Sequence, residues 1–183
     1  MTQDQGIRRD STKETLGKLP PAFNPAGGSV TAGNSSPLNV GAAALLIMSE
    51  EKAKTLGLKP IARIRAMASA GVNPEEMGIG PYPAIQKALK RAGLKLEDID
   101  IMELNEAFAV QVLSVGKLLG IDVDKNKVNM RGGAVAIGHP LGASGARIST
   151  TLLHRMRDEG AKIGLASMCV GGGQGTCTIY EAM

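Results

Sequence analysis

Hydrophobic positions fall on this chain in two rhythms, one of period two and one near 3.6, separated by glycine and proline. "PIARIRAMA" (60–68) alternates apolar and basic residues, the pattern of a strand with one buried face. "YPAIQKALKRAG" (82–93) puts Ile85, Ala88, Leu89 and Ala92 on one helical stripe, opens with Pro83 in its first turn and stops at Gly93. "IDIMEL" (99–104) has strand length. "EAFAVQVLSVGKLLG" (106–120) is apolar round most of a helix, with Gln111, Ser114 and Lys117 as one narrow polar stripe. Such a helix is buried on more than one side and belongs between layers. "GAVAIG" (133–138) reads as a strand. Residues 141–160 read as a helix with Ala146, Ser149, Leu153 and Met156 turned inward. "KIGLASM" (162–168) and "TCTIYE" (176–181) read as strands around "CVGGGQG" (169–175).

Upstream the rhythm is lost. "LPPAFNPAGG" (19–28) holds three prolines and two glycines, which break helix and strand alike, so residues 1–28 are expected to be irregular. "SVTAGNSSPLN" (29–39) is a loop by composition. "GAAALLIMS" (41–49) is a continuous apolar run, read as a strand buried on both faces, although a buried helix segment gives the same run. Ser49 caps a helix whose first turn carries Glu50 and Glu51, where the helix dipole favours negative charge, and Gly57 ends it.

The alternation of elements predicts an α/β fold. Its C-terminal sheet is expected to be mixed, mostly parallel and five-stranded, with helices, and to close in an antiparallel hairpin. The strand and helix at 41–58 are too little to bury a core and read as the end of another unit. Three segments follow: a loop region 1–40, the strand and helix 41–58, and a domain 59–183.

Composition narrows the function. The chain has 183 residues, 43% hydrophobic and 21% charged, with a net charge of +4. No Lys/Arg cluster carries interleaved aromatics, which argues against nucleic acid; a mild positive balance suits an anionic small ligand. No run reaches 18 apolar residues, and the first twenty residues hold no apolar core, so neither a membrane span nor a secretory signal is expected. Cys169 and Cys177 form no disulfide framework, which favours a reducing, cytoplasmic location. No residues stand at metal-ligand spacing.

Three polar groups each follow a predicted strand: Asn105, His139 and Cys169. Carboxyl ends of parallel strands gather along one edge, where sites are built. Each residue also has a plain structural reading. Asn105 caps a helix as readily as it serves a site. His139 could be a packing histidine, but Gly138, Gly142, Ala143, Ser144 and Gly145 leave room beside the ring. Cys169 could be a small buried hydrophobe, but three glycines after a buried strand cost chain entropy unless backbone must line a tight pocket. Cys177 reads as structural and His154 as solvated surface, in a polar stripe with Arg147, Thr151, Arg155 and Asp158.

"NEAFA" (105–109), "GGAVAIGHPLGASGAR" (132–147) and "CVGGGQG" (169–175), in that order, resemble the three downstream motifs of the thiolases. "VTAGNSSPLNVGAAALLIMSE" (30–50) and "MGIGPYPAI" (77–85) fit as well. The resemblance covers essentially the whole chain and implies the C-terminal part of such an enzyme. It implies acyl transfer between acyl-CoA and CoA, by thiolytic cleavage of a 3-ketoacyl-CoA or the reverse Claisen condensation. Coenzyme A is then a substrate, with no permanently bound cofactor.

By the same resemblance His139 activates a nucleophilic cysteine and helps bind the thioester oxygen. Cys169 is the acid/base, a role that needs a locally stabilised thiolate. Asn105 holds a water in an oxyanion hole, Gly171 donates its N–H to a second one, and Ser36, with Ala32 and Phe108, lies where CoA binds. The acylated cysteine lies in the family's N-terminal half, and neither cysteine here matches that motif. The implied partners are therefore that half and, in the complete enzyme, further copies of itself. The chain alone is expected to lack activity and to expose 41–48 and 106–120. Departures are Pro37, where the family has Gly, Val40, where it has Asp, Arg131 in place of a small or amide residue, and Pro20 in place of a basic one. A non-catalytic acyl-CoA-binding or assembly subunit is the alternative. A ketoacyl synthase, with the same layered fold, would carry histidine in place of Cys169.

Overall fold

The computed structural model describes every residue except 1, 3, 5, 126 and 127. The chain begins with one short helix inside the segment expected to be irregular, α1 (Lys13–Gly17). Thr12 and Thr15 cap it reciprocally. Residues 40–49 form no strand. This corrects the reading of 41–49: the apolar run finds no neighbouring strand for ladder bonds, and Leu46 and Ile47 face solvent. Ser49 does cap the next helix, α2 (Glu50–Thr55), its Oγ accepting from Lys52 N at 3.2 Å.

The remaining elements are β1 (Ala62–Gly71), a 3-10 turn at Pro74–Ile79, α3 (Pro81–Ala92), a second 3-10 turn at Leu96–Asp98, β2 (Ile101–Leu104), α4 (Ala109–Leu119), α5 (Ala134–Ile137), α6 (Ser144–Glu159), β3 (Ile163–Val170) and β4 (Gln174–Ala182). Four of these strands form one mixed sheet in the order β1-β4-β3-β2. Only β2 and β3 pair in parallel; β1–β4 and β3–β4 are antiparallel. The sheet is thus neither five-stranded nor mostly parallel. The expected strand at 133–138 is the single helical turn α5, bracketed by Gly133 and Gly138. The Glu106 carboxylate accepts from Val135 N at 3.1 Å at its amino end, so a side chain, not a ladder, satisfies that backbone.

Helix α3 covers one face of the sheet. Its stripe, Ile85, Ala88, Leu89 and Ala92, packs with Met102, Leu104, Leu165, Cys177 and Ile179. Helix α6 covers the other, where Ile148, Leu152 and Met156 meet Ile101, Ala166 and Tyr180. Ser149 and Met156 are buried as expected; Ala146 and Leu153 are only partly covered. Helix α4 starts at Ala109, not Glu106, and buries Gln111, Val112, Val115 and Gly116 on one side. Its other side exposes Leu113 (58%) and Leu118 (46%) within these 183 residues.

The hairpin from β3 to β4 turns through Gly171–Gly173, with φ of +83° at Gly172 and +91° at Gly173. Gly175 lies directly against the backbone of Gly80, where a Cβ could not fit. This contact presses the 74–80 turn onto the hairpin.

Candidate active site

Strands β2 and β3 run parallel with Leu104 beside Ser167, so their carboxyl ends lie together. Asn105 is the first residue past β2, and its N–H donates to Ser167 O at 2.9 Å. Asn129 fixes the same strand end. Its amide accepts from Leu104 N at 2.8 Å and donates to Leu104 O at 2.7 Å and to Glu106 Oε1 at 2.8 Å. It holds this position in the left-handed region, φ +50°.

His139 reaches the edge differently from expectation, from the loop after α5 and not from a strand. Its N–H donates to Pro37 O at 2.9 Å. Gly138, at φ +95°, lets the chain turn past the Asn39 side chain, whose Nδ2 donates to Ile137 O at 3.0 Å. The ring is 8% exposed and Asn105 1%.

The two side chains meet. Asn105 Nδ2 lies 3.4 Å from His139 Nε2, and His139 Nδ1 lies 2.5 Å from Ser144 Oγ. Arg147, one turn further along α6, donates from Nη2 to Asn105 Oδ1 at 2.9 Å. A guanidinium only donates, so the amide atom it faces is the oxygen. Asn105 therefore offers N–H to the ring, Nε2 accepts, and the imidazole proton resides on Nδ1, donated to Ser144. Ser144 Oγ in turn donates to Pro140 O at 3.1 Å. Burial, then the Arg147 charge, holds the imidazole below its usual range, so it is neutral at pH 7. At 3.4 Å the Asn105 bond is at the long end, and Nε2 retains a lone pair for a better donor.

Cys169 is the penultimate residue of β3, not the first beyond it. Strand alternation sets the direction of its side chain. Met168 packs with the α6 layer, so Cys169 takes the opposite face, beside Gly175 of β4. Among the described residues no hydrogen bond joins its sulfur to Asn105 or His139. Burial pushes the Cys169 thiol up, opposed by its backbone N–H. The thiol is consequently protonated at neutral pH. Cys177 lies deeper in the α3 face and is pushed up to about 12 by burial alone. Gly171 is exposed, the first residue of the hairpin turn after β3.

Sequence reasoning missed the ring's partners. Ser144 and Arg147 stand three apart on α6, in a stretch read as small residues followed by a surface stripe. It also missed Arg155, placed on that surface stripe, which is fully buried and donates to Glu103 Oε1 at 2.7 Å. The available signal was helical: Ser144, Arg147 and Arg155 recur at spacings that put them near Ile148 and Leu152, the apolar face. His154, between them, is exposed as expected.

The C-terminal domain profile of the thiolases matches residues 58–182, and the N-terminal domain profile matches residues 1–51. The chain belongs to the thiolase family. A 3-ketoacyl-CoA thiolase of Idiomarina loihiensis is 58% identical over 182 residues, covering 99% of this chain and 47% of that relative. One of Vibrio parahaemolyticus is 60% identical over 179 residues, covering 97% and 46%. Among solved structures, a Bacillus anthracis acetyl-CoA acetyltransferase superposes with a TM-score of 0.91 at 51% identity, covering 99% of this chain and 45% of that one. A human mitochondrial 3-ketoacyl-CoA thiolase in complex with CoA superposes at 0.88 and 46% identity, covering 100% and 46%. The chain thus spans about half the length of the thiolases it matches.

Within this thiolase chain the loop weighed for CoA contact is fastened to the site. Ser36 N and Oγ both donate to Ala107 O, each at 3.0 Å. Ala109 N donates to Asn34 O at 2.9 Å, and Ser35 bridges Phe108. Phe108 packs edge-on against Phe23, centroids 5.8 Å apart. Ala32 lies exposed on the same loop. Pro37, one of the departures from the family pattern, contributes its carbonyl to His139, and Val40, another, is fully exposed. Arg131 is a surface residue paired with Asp158 at 2.9 Å.

Proposed function

We propose that this chain carries the acid/base half of a thiolase centre, working on acyl-CoA and CoA together with a nucleophilic cysteine from a segment outside these 183 residues. The observation that carries the reading is the buried, neutral His139. Its proton is on Nδ1, and its Nε2 lone pair lies beside an amide N–H. A neutral imidazole whose Nε2 lone pair is held only by a long amide bond takes the proton of a thiol, and the thiolate so formed attacks the keto carbon of a 3-ketoacyl-CoA. The C–C bond then breaks and its electron pair becomes the enolate of the released acyl-CoA. Cys169, protonated by burial, gives that carbon its proton. The thiolate left on Cys169 takes the proton of incoming CoA, whose sulfur displaces the acyl group. The Asn105 N–H, Nε2–H once protonated, and the Gly171 N–H are the donors for negative charge developing on oxygen.

Support comes from the family match over both domain profiles and from the superposition on a CoA-bound thiolase. Cytoplasmic location and assembly with further copies remain part of this proposal; among the described residues no helix is long and apolar enough to cross a membrane. The test is co-production with a nucleophile-bearing N-terminal thiolase half, followed by CoA-dependent cleavage of a 3-ketoacyl-CoA. Turnover supports the reading. A folded complex that binds CoA without turnover overturns it in favour of an acyl-CoA-binding subunit.

A further inference from the structure

We propose that Arg147 is a positioning residue: it holds the Asn105 amide with its oxygen turned away from His139, so that the imidazole proton stays on Nδ1 and Nε2 is kept as the basic nitrogen. The proposal rests on reading Asn105 and His139 as parts of the site, but its geometry is independent of which reaction they serve.

Asparagine amides present two chemically opposite atoms of nearly equal size, and a buried one adopts whichever orientation its partners dictate. Had Oδ1 faced the ring, Nε2 would have to carry the proton and donate, and Nδ1 would accept from Ser144. The ring would then turn its hydrogen, not its lone pair, toward the site. Three observations oppose that arrangement. Arg147 Nη2 is 2.9 Å from Oδ1 and can only donate. Ser144 Oγ lies 3.1 Å from the Pro140 carbonyl, which accepts its hydrogen and leaves Oγ to accept from Nδ1. Asn105 is almost fully buried, and among the described residues its side-chain amide has no partners besides His139 and Arg147.

Arg147 is itself fixed with charge to spare. It stands half-buried on α6, near the carboxylates of Glu103 and Glu106 from the β2 side. Its Nε is buried and makes no hydrogen bond among the described residues. Glu103 Oε1 is engaged by Arg155, and Glu106 by Asn129 and Val135, while Glu103 Oε2, like Arg147 Nε, makes no hydrogen bond among the described residues. Among the described residues the guanidinium closes no ion pair within 4 Å, and its bond goes to Asn105. The charged and titratable groups around the ring's edge of the fold are Arg147 and Arg155 on α6, Glu103 and Glu106 on the β2 side, and Cys169 on β3. Of these, Arg147 is the one whose charge bears on His139, and it opposes protonation. One side chain thus sets both where the ring's proton sits and how readily a second is added.

The chain has two histidines, and the exposed His154 serves as an internal reference. Long-range proton–nitrogen NMR of the imidazoles distinguishes the tautomers directly. The expected wild-type result is His139 in the Nδ1–H form. In Arg147→Met the His139 ring becomes a mixture of tautomers and its titration midpoint moves to higher pH, with His154 unmoved and the backbone amide spectrum intact. Arg147→Lys, which keeps a donor and a charge, retains the wild-type tautomer and midpoint more closely than Arg147→Met. A wild-type His139 protonated on Nε2, or a folded Arg147→Met with an unchanged tautomer and midpoint, overturns the proposal. Because the wild-type spectrum decides the tautomer by itself, poor folding of a variant does not leave the question open. Loss of thiolase activity in an assembled enzyme with these spectra intact would count against the proposed function and not against this role.

Discussion

Arg155 and Glu103 form an ion pair at 2.7 Å with essentially no solvent exposure on either side chain, joining α6 to the strand that leads into Asn105. Arg155 also reaches Glu159 at 3.1 Å. Burial raises the Glu103 carboxyl, and the Arg155 bond pulls it back down only in part. Removing the carboxylate takes away the buried counter-charge closest to the Arg155 guanidinium. Glu103→Ala is therefore expected to lower stability by about 3–5 kcal/mol, read from urea unfolding, while replacing both partners by Leu and Met recovers most of the loss. A Glu103→Ala protein as stable as the wild type would show the pair to be incidental.

Ser144 is the only acceptor found for the imidazole Nδ1 among the described residues, at 2.5 Å. Ser144→Ala leaves that buried N–H unsatisfied, which costs roughly 1–3 kcal/mol. The ring also loses the partner opposite Nε2. In the assembled enzyme turnover is expected to fall about tenfold or more, the effect of about 1.4 kcal/mol on a barrier, with CoA affinity retained. Ser144→Thr, which keeps the hydroxyl, should lose less.

Stability responds to pH through His139. Its pKa in the fold is depressed below 6.5, by burial and then by Arg147. The unfolded chain therefore binds more protons in the window from that depressed value up to about 6.5, and there stability rises with pH. On acidification the His139 contribution is complete above about 6.5, declines as pH falls through the window and is fully lost below the folded-state pKa. Unfolding free energies for wild type and His139→Gln across pH 4–8 check this; the variant should have the flatter slope near pH 6. Equal slopes would show that His139 titrates alike in both states.

The hairpin glycines differ in what they do. A Cβ on Gly175 meets the backbone of Gly80, which cannot swing aside, whereas a Cβ on Gly171 meets open space. Gly175→Ala is expected to destabilise by about 1–3 kcal/mol or more. Gly171→Ala should shift stability by no more than about 0.5 kcal/mol. Thermal or urea midpoints of the two variants decide it.

The periodic segments were legible because their burial is local. The α3 stripe and the α6-facing positions of β2 and β3 follow from apolar spacing, and Gly93 ends its helix at φ +67° as its type suggests. The failures share a cause: apolar runs whose partners lie elsewhere. "GAVAIG" has strand composition, yet Glu106 satisfies its backbone as a helical turn. "GAAALLIMS" has no strand beside it. At the site, Asn105 and His139 were readable as residues following apolar runs, and they touch. Arg147 and Arg155 were not, because a buried cation in an amphipathic helix looks like a surface one until its carboxylate or amide partner, some forty or fifty positions away, is seen. Cys169 stands at the expected edge, near the carboxyl end of β3 and beside Gly175, one residue past the position where Met168 meets the α6 layer.

The sharpest test of the central claim is single-turnover thiolysis by the assembled enzyme carrying Cys169→Ala. The account predicts that acylation of the partner half's cysteine still occurs when a simple acyl-CoA is supplied, because His139 generates that thiolate. It also predicts that cleavage of a 3-ketoacyl-CoA falls by about 10²–10⁴, the worth of a positioned proton donor. Wild-type cleavage without the Cys169 sulfur would contradict it.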